Sequence, residues 1–139
     1  MVHIRQMIIE DYEDIYNVWT RTSGIGLNST DDSREGIEKY IKRNPTTSFV
    51  AIDNIKIIGV IMAGHDGRRG YIHHTAVLPE YRNQGIARRL VASAMEALDK
   101  EGITKVALVA FKENEIGNGF WENVGFTERN DLFYRNKKI

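Results

Sequence analysis

The chain has 139 residues, and its 19 Lys and Arg balance 19 Asp and Glu, so the formal net charge at pH 7 is zero. This balance provides no overall field for attracting nucleic acid or an anionic membrane. The lack of cysteine excludes disulfides, thiolate metal ligands and a cysteine nucleophile. No apolar run approaches the ~18 residues of a membrane-spanning helix. We therefore expect a single cytoplasmic domain covering residues 1–139, with no nucleic-acid or membrane partner.

The first part of the chain predicts one strand followed by two helices. Residues 2–8 form a short apolar-rich run suited to a strand, and residues 10–22 have apolar positions at helical spacing. Ser29 or Thr30 is predicted to cap the second helix. Asn44 is predicted to end it, because a residue that precedes proline avoids helical dihedrals.

The second part of the sequence indicates a series of hairpin strands and a long helix, followed by a strand, a short helix and a final pair of strands. The predicted elements are strands at 48–52, 55–63 and 71–78, a helix at 85–101, a strand at 105–111, a short helix at 114–124 and a strand pair around 126–136. The run at 105–111 is nearly continuously apolar, which is typical of a strand buried on both faces. The order of elements predicts an α/β fold with a central mixed β-sheet flanked by helices.

The start of the long helix has the features of an anion site. Gly85 lets the backbone approach a ligand closely, and Ala87 is small enough not to block that approach. A helix N-terminus leaves about four amides unpaired and has roughly half a positive charge. Arg88 and Arg89 lie in the first turn, where a bound diphosphate would make their charge favourable. On charge alone these arginines fit a solvated surface equally well.

The segment HHTAVLPEYRNQGIARRLVASAMEAL resembles the coenzyme-binding signature of the GNAT superfamily of N-acetyltransferases. In that signature an apolar strand ends in Val-x-Pro, followed by Arg or Gln, two residues, Gly, one residue, and Gly or Ala. The matching residues here are Val77, Pro79, Arg82, Gly85 and Ala87. A second match, to the Asn-containing helix of the superfamily, consists of Asn114, Phe120, Gly125 and Phe126. The order of elements also matches, so the resemblance covers essentially the whole chain.

The resemblance implies a GNAT-type acyl-CoA N-acyltransferase fold with acetyl-CoA as co-substrate. Members hold the pantetheine arm through backbone groups at the end of the central strand, beside a splay between that strand and the next one. Carried over to this chain, the pantetheine contacts would come from Thr75, Ala76, Val77, Asn114 and Trp121. The pyrophosphate would be held by Arg82, Asn83, Gln84, Gly85, Ile86, Ala87 and Arg88.

The implied reaction is direct transfer of the acetyl group from acetyl-CoA to a primary amine of a small molecule or protein, with the CoA thiolate leaving. The alternative is an acyl-CoA sensor or interaction module with little catalytic activity. The sequence does not identify the amine acceptor. It shows no cluster of metal ligands beyond the unsupported pair His65 and Asp66. A homodimer stays open, because members of the superfamily often form dimers.

Amine acetylation needs a proton acceptor. An aliphatic amine with a pKa near ~10 is mostly protonated at neutral pH and cannot attack a thioester. In arylalkylamine-type members of the superfamily a strand histidine serves as the base, and His73 matches it by its distance from Arg82. Strict alternation would place Tyr71, His73, Thr75 and Val77 on one face of the strand and Ile72, His74 and Ala76 on the other. The other interpretation is that both histidines are structural.

The Asn-helix motif departs from the pattern of the superfamily at one position. Many relatives have a tyrosine there that protonates the departing thiolate, whereas this chain has Trp121. An indole N–H donates a hydrogen bond but is not an acid near neutral pH. Protonation would then come from a relocated tyrosine such as Tyr134, or from solvent.

The acceptor is expected between the first two helices and the loop after the third strand. Tyr12, Tyr16 and Trp19 are available on one side of this space, and the loop at 65–69 on the other. Aromatic residues at helical spacing belong more often to a core than to a pocket, so Trp19 also fits a purely structural role.

Overall fold

The computed structural model describes all residues, Met1–Ile139, as two compact units, Met1–Val109 and Ala110–Ile139. The first unit contains the whole β-sheet, and the second contains one α-helix. None of the helices is both long enough and apolar enough to cross a membrane. That residues 1–139 act as a single domain stays a prediction.

A five-stranded mixed sheet organises the first unit. Its strands are β1 Val2–Gln6, β2 Phe49–Asp53, β3 Lys56–His65, β4 Gly70–Val77 and β5 Val106–Leu108. The helices of the chain are α1 Tyr12–Thr20, α2 Arg34–Arg43, α3 Ile86–Lys100 and α4 Glu115–Asn123, with short 3-10 turns at Ile9–Asp11 and Pro79–Tyr81. The strands lie in the order in which they occur in the sequence, and only β4 and β5 are parallel. This is the predicted mixed sheet flanked by helices.

Helices cover both faces of the sheet at β3. Gly64 lies against α2, because a Cβ placed there would be 2.5 Å from Tyr40 Oη. The next residue, His65, places its Nε2 3.0 Å from Glu101, just after α3. Since neighbouring residues of a strand point to opposite faces, α2 and α3 lie on opposite sides of the sheet. Helix α1 is on the α2 side, since Arg34 pairs with Glu13 at 2.9 Å.

The close approach at Gly64 leads to a stability prediction. We expect Gly64→Ala to destabilise the fold by about 1–3 kcal/mol, because the added methyl group would displace the buried hydroxyl of Tyr40 and the buried Asn44 side chain. The measurement is urea unfolding followed by tryptophan fluorescence. Gly119→Ala in α4 is the matched control, because a Cβ there meets nothing within 4 Å. An unchanged unfolding midpoint for Gly64→Ala would contradict the predicted overpacking.

The start of α2 differs from the prediction. Ser33, and not Ser29 or Thr30, is the N-cap, and its Oγ accepts a hydrogen bond from the Gly36 amide at 3.0 Å. Residues 29 and 30 lie in a turn instead, where the Asn28 side chain accepts from the Thr30 amide at 2.8 Å. Several residues in this run have capping side chains, so local pattern did not distinguish among them.

The two largest differences from prediction follow α3. Strand β5 has only three residues, and Val106 and Leu108 are partly exposed. It is the edge strand of the sheet, which is why its apolar run is not buried on both faces. The strand pair predicted around residues 126–136 is absent, and Phe133 there is 86% exposed. A β-rich run becomes a strand only where another strand pairs with it, which local sequence does not encode.

Candidate active site

The turn between β4 and α3 contains two residues with left-handed backbone conformations. Gly85, the N-cap of α3, has φ 74°, and Asn83 has φ 61°. This region is strained for most side chains and is tolerated by Gly and Asn. A Cβ at Gly85 would meet no atom within 4 Å. The glycine is therefore required for its φ angle, and the space in front of it is open.

The N-terminus of α3 is arranged to receive an anion. No side chain caps it, and its first turn contains no acidic residue. The first helical hydrogen bond runs from the Arg89 amide to the Gly85 carbonyl at 3.1 Å, so the Ile86 and Ala87 amides precede it and have no acceptor within the helix. Arg82 and Arg88 lie on either side of Gly85 and are exposed. Together these features form a site suited to phosphate oxygens.

Strands β4 and β5 separate part-way along their length. Their parallel pairing runs from Gly70 and Val106 to Ile72 and Leu108 and then stops. Strand β4 itself continues to Val77. Residues 73–77 therefore have no strand partner on the β5 side, and their backbone N–H and C=O groups on that edge are unpaired by the sheet. This is the predicted splay, and it includes Thr75, Ala76 and Val77.

A β-bulge lies where the two strands separate. Thr75 pairs with Ile61, but Ile72 pairs with Ala63. One residue of β3 therefore lies opposite both His73 and His74 of β4, which is the arrangement of a bulge. An inserted residue shifts the alternation of side chains by one. The strict alternation predicted for β4 is therefore wrong from this point on.

Both imidazoles lie on the α1–α2 side of the sheet as a result. The His73 ring contacts the Tyr40 ring of α2, with centroids 5.3 Å apart, and the Tyr71 ring, with centroids 4.7 Å apart. The His74 ring contacts Trp19 of α1 edge-on, with centroids 4.9 Å apart. The two histidines therefore lie on one face of the sheet, next to the point where β4 and β5 separate.

The two histidines have different surroundings. His73 is exposed as a residue, although its ring lies against two aromatic side chains. Partial burial, together with the charge of His74, lowers the pKa of His73 below 6.5, and Asp32 and Asp31 oppose this shift. The neutral form of His73, which can accept a proton, therefore predominates at pH 7.

His74 is held by an aspartate that sequence reasoning did not single out. Its Nε2 lies 2.9 Å from Asp32 Oδ1, and the two side chains are only 17% and 8% exposed. Asp32 lies in the loop before α2, among residues whose pattern suggested only helix capping. Nothing in the local sequence connects this loop with β4, which is 42 residues later.

The predicted site residues of the second unit were assigned their roles from the family resemblance and from its departure at Trp121. Asn114 is the N-cap of α4, and its Oδ1 accepts from the Gly117 amide at 3.0 Å. The Trp121 ring packs against Phe120 and Phe126, with centroids 5.0 and 5.3 Å away. Tyr134 is 68% exposed. Coenzyme contacts by Asn114 and Trp121, and an acid role for Tyr134, stay predictions.

The residues expected around the acceptor are divided between core and surface. Trp19 is 1% exposed and belongs to the core, although its indole N–H has no hydrogen-bond partner. His65 pairs with Glu101, while Asp66 accepts hydrogen bonds from the amides of its own turn. His65 and Asp66 therefore have separate structural roles.

Comparison with known proteins identifies the family. A profile described as the Acetyltransferase (GNAT) family matches residues 7–126, most of the chain. The chain belongs to the GNAT acetyltransferase family. Acetyl-CoA is the co-substrate of GNAT enzymes, and several structures similar to this chain contain coenzyme A.

Solved structures share the fold of this GNAT chain at low sequence identity. The PaiA N-acetyltransferase of Thermoplasma acidophilum, in complex with coenzyme A, has a TM-score of 0.80 and 22% identity over 91% of this chain and 90% of that one. The aminoglycoside N-acetyltransferase AAC(6')-Iy, in complex with CoA, has a TM-score of 0.78 and 22% identity over 100% and 96%. The ribosomal-protein-S18-alanine N-acetyltransferase of Escherichia coli has a TM-score of 0.77 and 21% identity over 93% and 79%.

Proposed function

We propose that this GNAT chain is an N-acetyltransferase that transfers the acetyl group of acetyl-CoA directly to a primary amine of a small molecule or protein. The observation that supports this most strongly is the unpaired edge of β4. This edge starts at His73, a histidine whose neutral form is favoured, and leads at Val77 into the turn before α3. One continuous stretch of chain thus offers a proton acceptor, a thioester-binding edge and an anion site.

In the proposed complex the pantetheine arm lies along the free edge of β4 and pairs with backbone groups of Thr75, Ala76 and Val77. An extended ligand that adds to an open sheet edge binds mainly through main-chain hydrogen bonds. The pyrophosphate then meets the α3 N-terminus, where the Ile86 and Ala87 amides have no acceptor within the helix and the exposed Arg82 and Arg88 supply positive charge. The thioester lies at the other end of the edge, beside the bulge.

The proposed reaction removes two protons from the nitrogen of the substrate ammonium group. The unprotonated ring nitrogen of His73 accepts the first, which leaves a neutral amine. The amine nitrogen then attacks the thioester carbonyl, a C–N bond forms, and the C–S bond breaks with the electron pair on the CoA sulfur. The second proton leaves the nitrogen for solvent as the amide forms, and His73 is exposed, so it can return the first proton to solvent.

The departing thiolate also needs a proton. We propose that Tyr134 or solvent supplies this proton, because Trp121 cannot. Trp121→Tyr is expected to raise kcat by roughly 10- to 100-fold if the tyrosine restores an acid at this position. Steady-state kinetics should be measured beside Trp121→Phe, which keeps an aromatic ring between Phe120 and Phe126. An equal response of the two variants would show that the hydroxyl contributes nothing.

The acceptor is tested by combining binding with turnover. Calorimetry with acetyl-CoA and with CoA measures the coenzyme site, and CoA release is then assayed with a panel of amines. The solved relatives suggest an aminoglycoside and a peptide with N-terminal alanine as the first two acceptors. CoA release that depends on the added amine supports the proposed N-acetyltransferase activity. Micromolar binding without turnover on any amine favours the sensor alternative, and no binding contradicts the proposed coenzyme site.

A further inference from the structure

We infer that Asp32 and His74 form a positioning pair that holds His73 in the orientation in which it accepts the amine proton. This inference rests on the proposed function, since it assigns a partner to the proposed base. Neither residue of the pair is required to touch the substrate. The pair acts through the bulge of β4 and through the packing of α2.

Asp32 connects three elements of the first unit. One carboxylate oxygen lies 2.9 Å from His74 Nε2 on β4, and the other accepts from the Asn28 amide at 2.7 Å. Its backbone carbonyl accepts from the Tyr12 hydroxyl of α1 at 2.6 Å. The side chain is 8% exposed and both of its oxygens have partners. A carboxylate that is occupied in this way is suited to positioning rather than to binding a substrate.

The first route from this pair to His73 is the bulge. His74 is held on two sides, by Asp32 and by the edge of the Trp19 ring. His73 is its neighbour in the bulge, where two residues lie opposite one and ladder pairing is locally disrupted. Because the sheet alone specifies this backbone weakly, fixing the His74 side chain also fixes the direction in which His73 points.

The second route is α2. The loop that Asp32 holds leads directly into this helix, and Tyr40 of the helix packs on the His73 ring at 5.3 Å. The loop lies tightly on the first turn of α2, because a Cβ at Gly36 would be 2.6 Å from the Thr30 carbonyl oxygen. Movement of Asp32 would therefore shift Tyr40 and remove the contact that orients the ring of His73.

The pair also affects the charge balance at His73. The groups that act on this imidazole are His74, which lowers its pKa, and Asp32 and Asp31, which raise it. Its ring neighbours Tyr40 and Tyr71 are phenols, which are neutral near pH 7. Removing His74 and removing Asp32 should therefore move the pKa of His73 in opposite directions, although both changes break the same hydrogen bond.

The experiment is an imidazole NMR titration of His73, which needs no turnover. Three variants separate the orientation of His73 from the charge around it. His74→Gln keeps a hydrogen-bond donor toward Asp32 but has no ionisable ring, and His74→Ala has neither. Asp31→Asn removes a nearby negative charge and leaves the Asp32–His74 hydrogen bond in place. We expect the His73 midpoint to rise in His74→Gln and to fall in Asp31→Asn, by roughly 0.3–1 pH unit each. We expect the ring-current shift that Tyr40 induces on His73 to be lost only in His74→Ala.

Retention of the Tyr40 ring-current shift in a folded His74→Ala protein would overturn the inference. If His74→Ala does not fold, Asp32→Asn replaces it: a fall in the His73 midpoint with altered ring-current shifts is expected, and unchanged values overturn the inference. Where turnover is measurable, the acidic limb of kcat/KM should move with the His73 midpoint. A titration that behaves as expected in a protein inactive on every amine would leave the positioning pair intact and contradict only the proposed function.

Discussion

Gly85→Asp is expected to weaken the binding of CoA and acetyl-CoA by at least about 100-fold, which corresponds to roughly 2.7 kcal/mol. The Cβ position at Gly85 faces open space in front of the α3 N-terminus, where we place the pyrophosphate. A carboxylate there would repel the diphosphate and occupy the open amides itself. The measurement is titration calorimetry of both ligands at fixed ionic strength.

Gly85→Asn is the matched control for this change. Asparagine has the same shape as aspartate and tolerates the left-handed conformation, which Gly85 adopts with φ 74°. Both variants should therefore lose similar stability in thermal unfolding, at most about 1–2 kcal/mol. Only the charged variant should lose most of its affinity. Equal dissociation constants for the two variants would show that the coenzyme phosphates bind elsewhere.

His73→Gln is expected to lower kcat/KM by about 100- to 1,000-fold at pH 7, because no group then accepts the proton of the amine. The residual rate should rise about tenfold per pH unit until the amine, with a pKa near ~10, deprotonates by itself. In the unmodified enzyme the rate should fall as pH decreases through the pKa of His73. This acidic limb of the pH–rate profile should lie below pH 6.5, because burial and the charge of His74 lower the pKa of His73.

The measurement is the pH–rate profile of CoA release at saturating acetyl-CoA and at amine concentrations well below KM, which gives kcat/KM. His3→Gln is a suitable control, since His3 is an exposed residue of β1. Its profile should match that of the unmodified protein. A loss of rate in His73→Gln that is uniform across pH would indicate that His73 serves only to pack against Tyr40 and Tyr71.

The local features of the proposed coenzyme site were predictable from sequence because each depends on residues close together in the chain. The turn before α3 needs a residue that accepts positive φ, and Gly85 has φ 74° there. The uncapped first turn and its arginines follow directly from the residues at 85–89. The family itself was recognisable because these residues and the Asn-helix motif occur at fixed distances, and the match over residues 7–126 confirms it.

The features that depend on distant partners were not predictable in the same way. The apolar run at 105–111 indicated a buried strand, but β5 has a neighbour on one side only, and that depends on the sheet as a whole. The prediction of strands around 126–136 was wrong, because no other strand pairs with this segment. Ser33 caps α2, although Ser29 and Thr30 have similar capping side chains, because the way the loop packs fixes where the helix begins.

By itself the sequence determined the family, the order of most elements and the left-handed turn before α3, because periodicity, glycine conformation and motif spacing are short-range properties. The tertiary structure alone decided that the β4 bulge brings His73 and His74 to one face. It also decided that Asp32 pairs with His74 across 42 residues. A bulge is the outcome of the pairing of two strands, and a buried hydrogen bond between side chains is the outcome of packing a loop on a sheet. Neither has a local signature, since both arise only when segments distant in the chain meet.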